Sequence, residues 1–241
     1  MLWVNNCVLS RNQRVKLGVT LRIAVVFLKY TASMLSHSHE QVPLDHLASI
    51  IHWADAEIVW SEGWLSPAVA KDLYETFTKT IIWKQEPIMM FGKRVEQPRL
   101  VAWYGDPGAR YKYSGLTVEP QVWTKELLQL KTQVEAASAC VFNSVLLNWY
   151  RDGRDSMGWH SDDERELGPH PTIASVSLGT ERRFLLRRKN DHACKHEFLL
   201  KNGSLIIMRG ATQHFWQHQV PKSLGVSHGR INLTFRAIKH P

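Results

Sequence analysis

Three short stretches in the C-terminal half carry residues of the type and spacing that metal and anion chemistry needs. The first is His160-Ser161-Asp162 within Asn148–Asp163, NWYRDGRDSMGWHSDD. On an extended chain, residues i and i+2 point to one face, so an imidazole and a carboxylate converge there. Such a pair suits a mid-row metal such as Fe(II) once a third ligand arrives from elsewhere. The second stretch, FWQHQVPK, holds His218 downstream. The third is RINLTFR, Arg230 to Arg236. Arg230, Asn232, Thr234 and Arg236 alternate with Ile231, Leu233 and Phe235, the signature of a strand with one apolar face. Its other face carries two guanidiniums, about 20 Å apart at full extension. Two cations on an inner face call for an anion, because unpaired buried charge is costly. A small dicarboxylate would supply one.

These residues must be held by strands. Phe142 to Tyr150 alternates, with Asn143, Val145, Leu147 and Trp149 on one side and Ser144, Leu146, Asn148 and Tyr150 on the other. It runs into the His-x-Asp stretch through the turn signal Asp152-Gly153. Ile173–Leu178, Arg183–Arg188, His196–Leu200, Ser204–Met208, His214–His218 and Arg230–Arg236 read as successive short strands punctuated by Gly179 and Gly203. Closely spaced strands of this kind predict a sandwich or jelly roll. Ser66-Pro67 is an N-cap followed by proline at the first helical position, which starts a helix over about 67–78. Leu127, Leu130 and Val134 give a second helical stripe within 123–137. Two helices ahead of the strands imply an α+β arrangement packed on one side.

The remaining segments are less regular. Residues 40–64 read as a covering segment anchored by Trp53, Ile58, Val59 and Trp60. Gln97 to Gly115 is rich in glycine and aromatics, with a turn at Asp106-Pro107-Gly108. Tyr104, Tyr111 and Tyr113, interleaved with Arg99, Arg110 and Lys112, could pack in a sheet or form a platform on which an unpaired base stacks. Residues 1–39 read as an N-terminal extension, with 40–241 as one domain. Three readings remain open for it: a disordered arm or upstream sequence ahead of a true start at Met34, an organellar presequence, or a basic arm that touches nucleic acid.

The chain has 241 residues, enough for one sizeable core. Three cysteines, Cys7, Cys140 and Cys194, form no C-x-x-C pair, and the odd count argues against a disulfide framework and for a reducing compartment. The net charge is +8, a balance that suits polyanionic partners. Residues 1–33 hold five basic residues and no acid, so the rest of the chain is only about +3. Charge allows nucleic-acid binding without requiring it. The apolar run Ile23–Leu28 is too short to span a bilayer.

N-W-Y-x-D-G-x-D-x-x-G-W-H-S-D-D-E, a distal histidine and R-x-N-x-T-x-R together resemble the AlkB family of Fe(II)- and 2-oxoglutarate-dependent dioxygenases. The likeness runs from about Gln97 to Arg236. It implies a double-stranded β-helix (jelly roll) with the metal in one mouth, over a core of about 141–236, and makes 97–115 the nucleotide-recognition region. It implies Fe(2+) held by His160, Asp162 and His218, with 2-oxoglutarate and O2 at the open positions. His214 rivals His218, four residues earlier on the same expected strand face; the WQH-x-VPK context and the step to Arg230 favour His218, and His228 reads as a loop residue. Arg230 and Arg236 would pair the carboxylates of 2-oxoglutarate, with Asn232, Asn148 and Tyr150 adding hydrogen bonds. The implied reaction hydroxylates an N-methyl group on 1-methyladenine or 3-methylcytosine in DNA or RNA. Succinate, CO2 and formaldehyde are released and the base is restored. Tyr113 and the His160 ring could sandwich the cationic base, with Asp163 and Glu164 beside it. The expected protein is a monomer, not membrane-bound, located with its nucleic acid in a nucleoid, nucleus or organelle. Competing readings keep the iron and act on RNA, protein or a small molecule, or keep the fold as a non-catalytic binding module. A zinc hydrolase would leave the R-x-N-x-T-x-R face without a role.

Overall fold

In the computed structural model, described residues are 48–53, 55–90, 93–109, 111–113 and 116–239. The extension 1–39 lies outside them. The strands are β1 Ala48–Trp53, β2 Ala56–Ser61, β3 Pro87–Met90, β4 Lys93–Glu96, β5 Leu100–Gly105, β6 Tyr111–Tyr113, β7 Leu116–Val118, β8 Gln121–Val122, β9 Ser144–Tyr150, β10 Met157–His160, β11 Ile173–Gly179, β12 Arg182–Arg188, β13 Lys195–Leu200, β14 Leu205–Arg209, β15 Trp216–Val220 and β16 Arg230–Arg236. The helices are α1 Pro67–Thr80, α2 Lys125–Ser138 and the single turn α3 Thr212–Phe215.

An eight-stranded sheet runs β1-β2-β14-β11-β16-β9-β5-β8, and a four-stranded sheet runs β10-β15-β12-β13. Alternation along the strands divides the core in two. One face of the large sheet, with Val145, Leu147, Val176, Leu178, Ile231, Leu233 and Phe235, packs on Phe77 of α1 and Leu127, Leu130 and Val134 of α2. The other face, with Ile58, Ile173, Ile206 and Met208, meets Phe184, Leu186, Leu200, Trp216 and Val220 of the small sheet. Helices on one side of a two-sheet sandwich are the expected α+β jelly-roll architecture.

Ser66-Pro67 starts α1 as expected, whereas α2 starts two residues after the expected 123. The Ser66 side chain accepts from the Val69 N–H at 3.4 Å, with Pro67 at the first position. Thr124 accepts from the Leu127 N–H at 3.2 Å, so α2 begins at Lys125. Two further expectations are corrected. Residues 40–64 are more than a cover: β1 and β2 form an antiparallel hairpin, and β2 pairs with β14 to extend the large sheet. His214–His218 is not one strand. Thr212–Phe215 forms a helical turn, so the strand begins at Trp216 and His214 shares no strand face with His218. Gly210, at φ +58°, and the Thr212 hydroxyl on the Arg209 carbonyl turn the chain out of β14 there.

Candidate active site

β10 and β15 are antiparallel, and their register sets His160 directly opposite His218. The two rings meet edge to face, 4.2 Å between centroids. The Gly158 carbonyl lies 2.9 Å from His160 Nδ1, which makes Nδ1 the protonated nitrogen and leaves Nε2 as the lone-pair donor. Asp162 follows as the chain leaves β10. Its backbone N–H donates to Gln213 Oε1 at 2.9 Å, and the hydroxyl of Ser161 donates to the Trp216 carbonyl at 2.8 Å. These bonds seat the turn between the strands. One ligand atom from each of His160, Asp162 and His218 lies within 4.8 Å of the others.

The electrostatics prepare these groups for a cation. Burial alone would raise the Asp162 carboxyl, but the Arg236 charge and the two histidines outweigh it and hold it near 2. Arg236 Nη2 donates to Asp162 Oδ1 at 2.7 Å. Asp162 Oδ2 is buried and has no partner among the described residues. Burial, then repulsion from His160, pushes His218 down to about 3, so its imidazole is neutral and can donate a lone pair.

Polar side chains that could hold an anion lie on the inner face of the large sheet. β16 pairs with β9 so that Asn232 faces Asn148 and Arg230 faces Tyr150. Arg230 is 1% exposed. Its Nη2 donates to Ser177 Oγ and Asn232 Oδ1, both at 2.8 Å, and its guanidinium lies 5.4 Å from the Tyr150 ring centroid. Its Nε and Nη1 are buried and meet no acceptor among the described residues. Burial lowers this guanidinium to about 10, which still leaves it charged at neutral pH. Asn148 Oδ1 accepts from Arg99 Nε at 2.7 Å, and Asn232 donates to Thr234 Oγ1 at 2.7 Å. Asn148, Tyr150, His160, Asp162, His218 and Arg236 line one cavity of about 830 Å³. Two imidazoles, a carboxylate oxygen with an open lone pair and a cation with open donors could hold a metal and an acid.

The family described as the 2OG-Fe(II) oxygenase superfamily matches residues 57–236. The alpha-ketoglutarate-dependent dioxygenase alkB homolog 3 of Bos taurus is 41% identical over 185 residues, 73% of this chain and 64% of that protein. The DNA oxidative demethylase ALKBH2 of Arabidopsis thaliana is 31% identical over 243 residues, 89% of this chain and 74% of that protein. The chain is an AlkB-like member of the 2OG-Fe(II) oxygenase superfamily.

A solved structure, "The structure of OsALKBH1", superposes with a TM-score of 0.56 at 19% identity, over 77% of this chain and all of that one, and supports the fold. The chain spans 62–64% of the length of its mammalian alkB homolog 3 relatives. Membership implies iron(II), 2-oxoglutarate and O2, and the unpaired Asp162 Oδ2 and Arg230 donors fit the first two. His160, Asp162 and His218 could hold the metal, and Arg230, Asn232 and Asn148 the keto-acid. Arg236 differs from Arg230: its bond to Asp162 ties it to the metal group.

The base-recognition residues fare less evenly. Tyr104 points away from the cavity into the helix-side core, where its hydroxyl accepts from the Ile82 N–H at 3.4 Å. It is therefore a packing residue. Trp103, one position earlier, lines the cavity instead. Asp163 lies outside the cavity lining, exposed and paired with Lys189 at 2.7 Å. Glu164 does line the cavity. Tyr111 and Tyr113 lie on β6, which pairs with β7; their side chains, and Arg110, lie outside the described residues. Sequence reasoning missed Gln213 and Arg182. Arg182, 2% exposed, donates to the carbonyls of Asp152, Asp155 and Pro221 at 2.7–3.1 Å and so pins the β9–β10 loop.

Proposed function

We propose that this chain is an oxidative demethylase of N-alkylated bases in nucleic acid, with 1-methyladenine and 3-methylcytosine as substrates. The observation that carries the reading is an open carboxylate oxygen between two imidazoles on the wall of one cavity, together with the buried, under-paired guanidinium of Arg230 held against Asn232 and Tyr150, which line the same cavity. The iron, once bound with 2-oxoglutarate, supplies the O2-dependent hydroxylation of the N-methyl group. The protein residues bind, orient and shield. Neutral His218 and His160 Nε2 offer lone pairs, and ionised Asp162 offers the charge. Arg236 fixes the Asp162 rotamer through Oδ1 and leaves Oδ2 for the metal. Arg230 would pair with a carboxylate of 2-oxoglutarate. Glu164, on the cavity wall, accepts from the exocyclic amine of the base. A base in a duplex must turn out of the stack to reach this depth.

Relatives named for alkB homolog 3 and for DNA oxidative demethylation support the substrate class. The reading makes the protein a monomer that works where its nucleic acid is, in a nucleoid, nucleus or organelle. Among the described residues no helix is long and apolar enough to cross a membrane. The test is formaldehyde release from oligonucleotides carrying 1-methyladenine or 3-methylcytosine, with Fe(II) and 2-oxoglutarate. Release is expected with the natural chain and is lost in Asp162→Ala. Succinate formed without formaldehyde from any methylated oligonucleotide would overturn the substrate and keep the oxygenase.

A further inference from the structure

The outer face of the four-stranded sheet carries charges that the metal and keto-acid chemistry does not use. β12 and Lys189, the residue after it, are strongly basic. Arg183 pairs with Glu197 at 2.7 Å, Arg188 with Asp55, and Lys189 with Asp163 at 2.7 Å. Arg187 breaks this pattern. It has no carboxylate partner among the described residues; neutral Gln217 Oε1 accepts from its Nε at 3.1 Å and its Nη2 at 3.0 Å. Directly across the sheet its register partner is Lys195, an exposed cation. Like charges set opposite each other destabilise a strand pair, unless an anion shares them.

The same guanidinium lies 4.2 Å over the ring of Trp159. Trp159 immediately precedes His160 on β10, the edge strand of this sheet, and lines the cavity while only half-buried. Edge strands are commonly guarded by charged residues, so a large aromatic here is out of place as mere packing. The arginine holds the indole in one orientation through a cation–π contact. An aromatic platform joined to an unneutralised cation pair is the arrangement that binds a single-stranded nucleotide: ring for the base, cations for the phosphate.

We propose that Trp159, Arg187 and Lys195 form a shelf for the nucleotide next to the one in the cavity, its base stacked on Trp159 and its phosphate between Arg187 and Lys195. The proposal rests on the nucleic-acid reading above and extends it outside the cavity. It makes the protein a reader of at least two nucleotides, with the flank bound on the sheet that carries both metal-ligating histidines.

The experiment is the affinity of the full chain, loaded with Mn(II) and 2-oxoglutarate, for a fluorescently labelled single-stranded oligonucleotide with one 1-methyladenine, followed by anisotropy over a salt series. Trp159→Ala is expected to weaken binding by about tenfold, with most of it restored in Trp159→Phe. Arg187→Gln and Lys195→Gln, surface changes that keep the fold, should each reduce the slope of log Kd against log salt by about 0.7. Unchanged Kd and slope in all four variants, while the natural chain binds, would overturn the shelf alone. A natural chain that binds no oligonucleotide would overturn the shelf and the nucleic-acid reading together.

Discussion

Replacing Arg230 by methionine separates stability from co-substrate binding, because the two should move independently. Burial lowers the guanidinium from its ordinary value to about 10. At 1.36 kcal/mol per unit, holding it charged in the folded chain costs roughly 3 kcal/mol. Methionine fills much of the volume without that cost. The lost bonds run to Ser177 Oγ and Asn232 Oδ1, and Asn232 Oδ1 keeps its bond from Ser175 Oγ at 2.7 Å. Two such bonds from a charged group are worth about 3–6 kcal/mol. The ligand-free variant should therefore lose no more than about 3 kcal/mol relative to the natural chain in urea unfolding. Affinity for 2-oxoglutarate, by calorimetry on Mn(II)-loaded protein, should fall at least ~30-fold, since breaking a buried charge pair costs about 2–5 kcal/mol. The pH dependence gives an independent check. With the folded pKa depressed to about 10, the unfolded chain binds more protons from that pH up to the ordinary guanidinium value, so the Arg230 contribution to stability rises with pH in that window. Affinity for 2-oxoglutarate falls in the same range as the charge is lost, and methionine abolishes both trends. A variant destabilised by more than about 3 kcal/mol with unchanged 2-oxoglutarate affinity would show that Arg230 is structural, and the anion argument would fail.

Three further perturbations test the parts that hold the site. Gln213→Leu leaves the Asp162 N–H without its acceptor and should weaken Mn(II) binding by about 10–100-fold in a metal titration, with little change in the circular dichroism of the folded chain. Gly153→Ala puts a methyl 1.7 Å from the Ser223 carbonyl oxygen, a backbone atom. It should therefore lower the thermal midpoint by an amount equivalent to ~1–3 kcal/mol or more, and the backbone bonds between Gly153 and Ser223 and Val226 should show faster hydrogen exchange. Asp155 is buried, which raises its carboxyl, but bonds from the Arg151 side chain and N–H outweigh this and hold it below 3.8. Its contribution to stability is complete above the unfolded value and lost as pH falls through the lower folded one. Asp155→Asn should be less stable at neutral pH and lose less stability on acidification below about 4, read by acid titration of fluorescence.

The residues that could be read from sequence are those whose partners are near in the chain or whose period is unambiguous. R-x-N-x-T-x-R carries polar and apolar signals on alternate positions, so its two faces were never in doubt, and His160 and Asp162 needed only an extended backbone. The start of α1 follows from Ser66-Pro67, whereas Thr124, expected inside the second helix, is its cap. Tyr104 and Trp103 show where such reading ends. Both are aromatic and adjacent, and a strand sends neighbours to opposite faces, so a choice wrong by one residue exchanges core for cavity. His214 looked like part of a strand because a single helical turn is too short to impose a 3.6-residue period. Gln213 and Arg182 left no pattern at all, because Gln213 meets a backbone N–H 51 residues away and Arg182 meets carbonyls 27–39 residues away. Backbone atoms are the same in every sequence, so such contacts become visible only after folding.

What the fold tolerates at this site also says what it is for. Asp162 Oδ2 and Arg230 Nε and Nη1 are buried and unpaired among the described residues, and each such group costs about 1–3 kcal/mol or more. They could have neutralised each other. Instead Arg236 takes one oxygen of Asp162 while Arg230 is anchored by Ser177 and Asn232 beside the Tyr150 ring. Kept apart in this way, an open anion and an open cation cannot be satisfied by a single simple ion. A divalent metal alone leaves Arg230 unpaired, and a carboxylic acid alone leaves Asp162 unpaired. Only a metal and an acid bound together answer both, so binding of each should tighten the other.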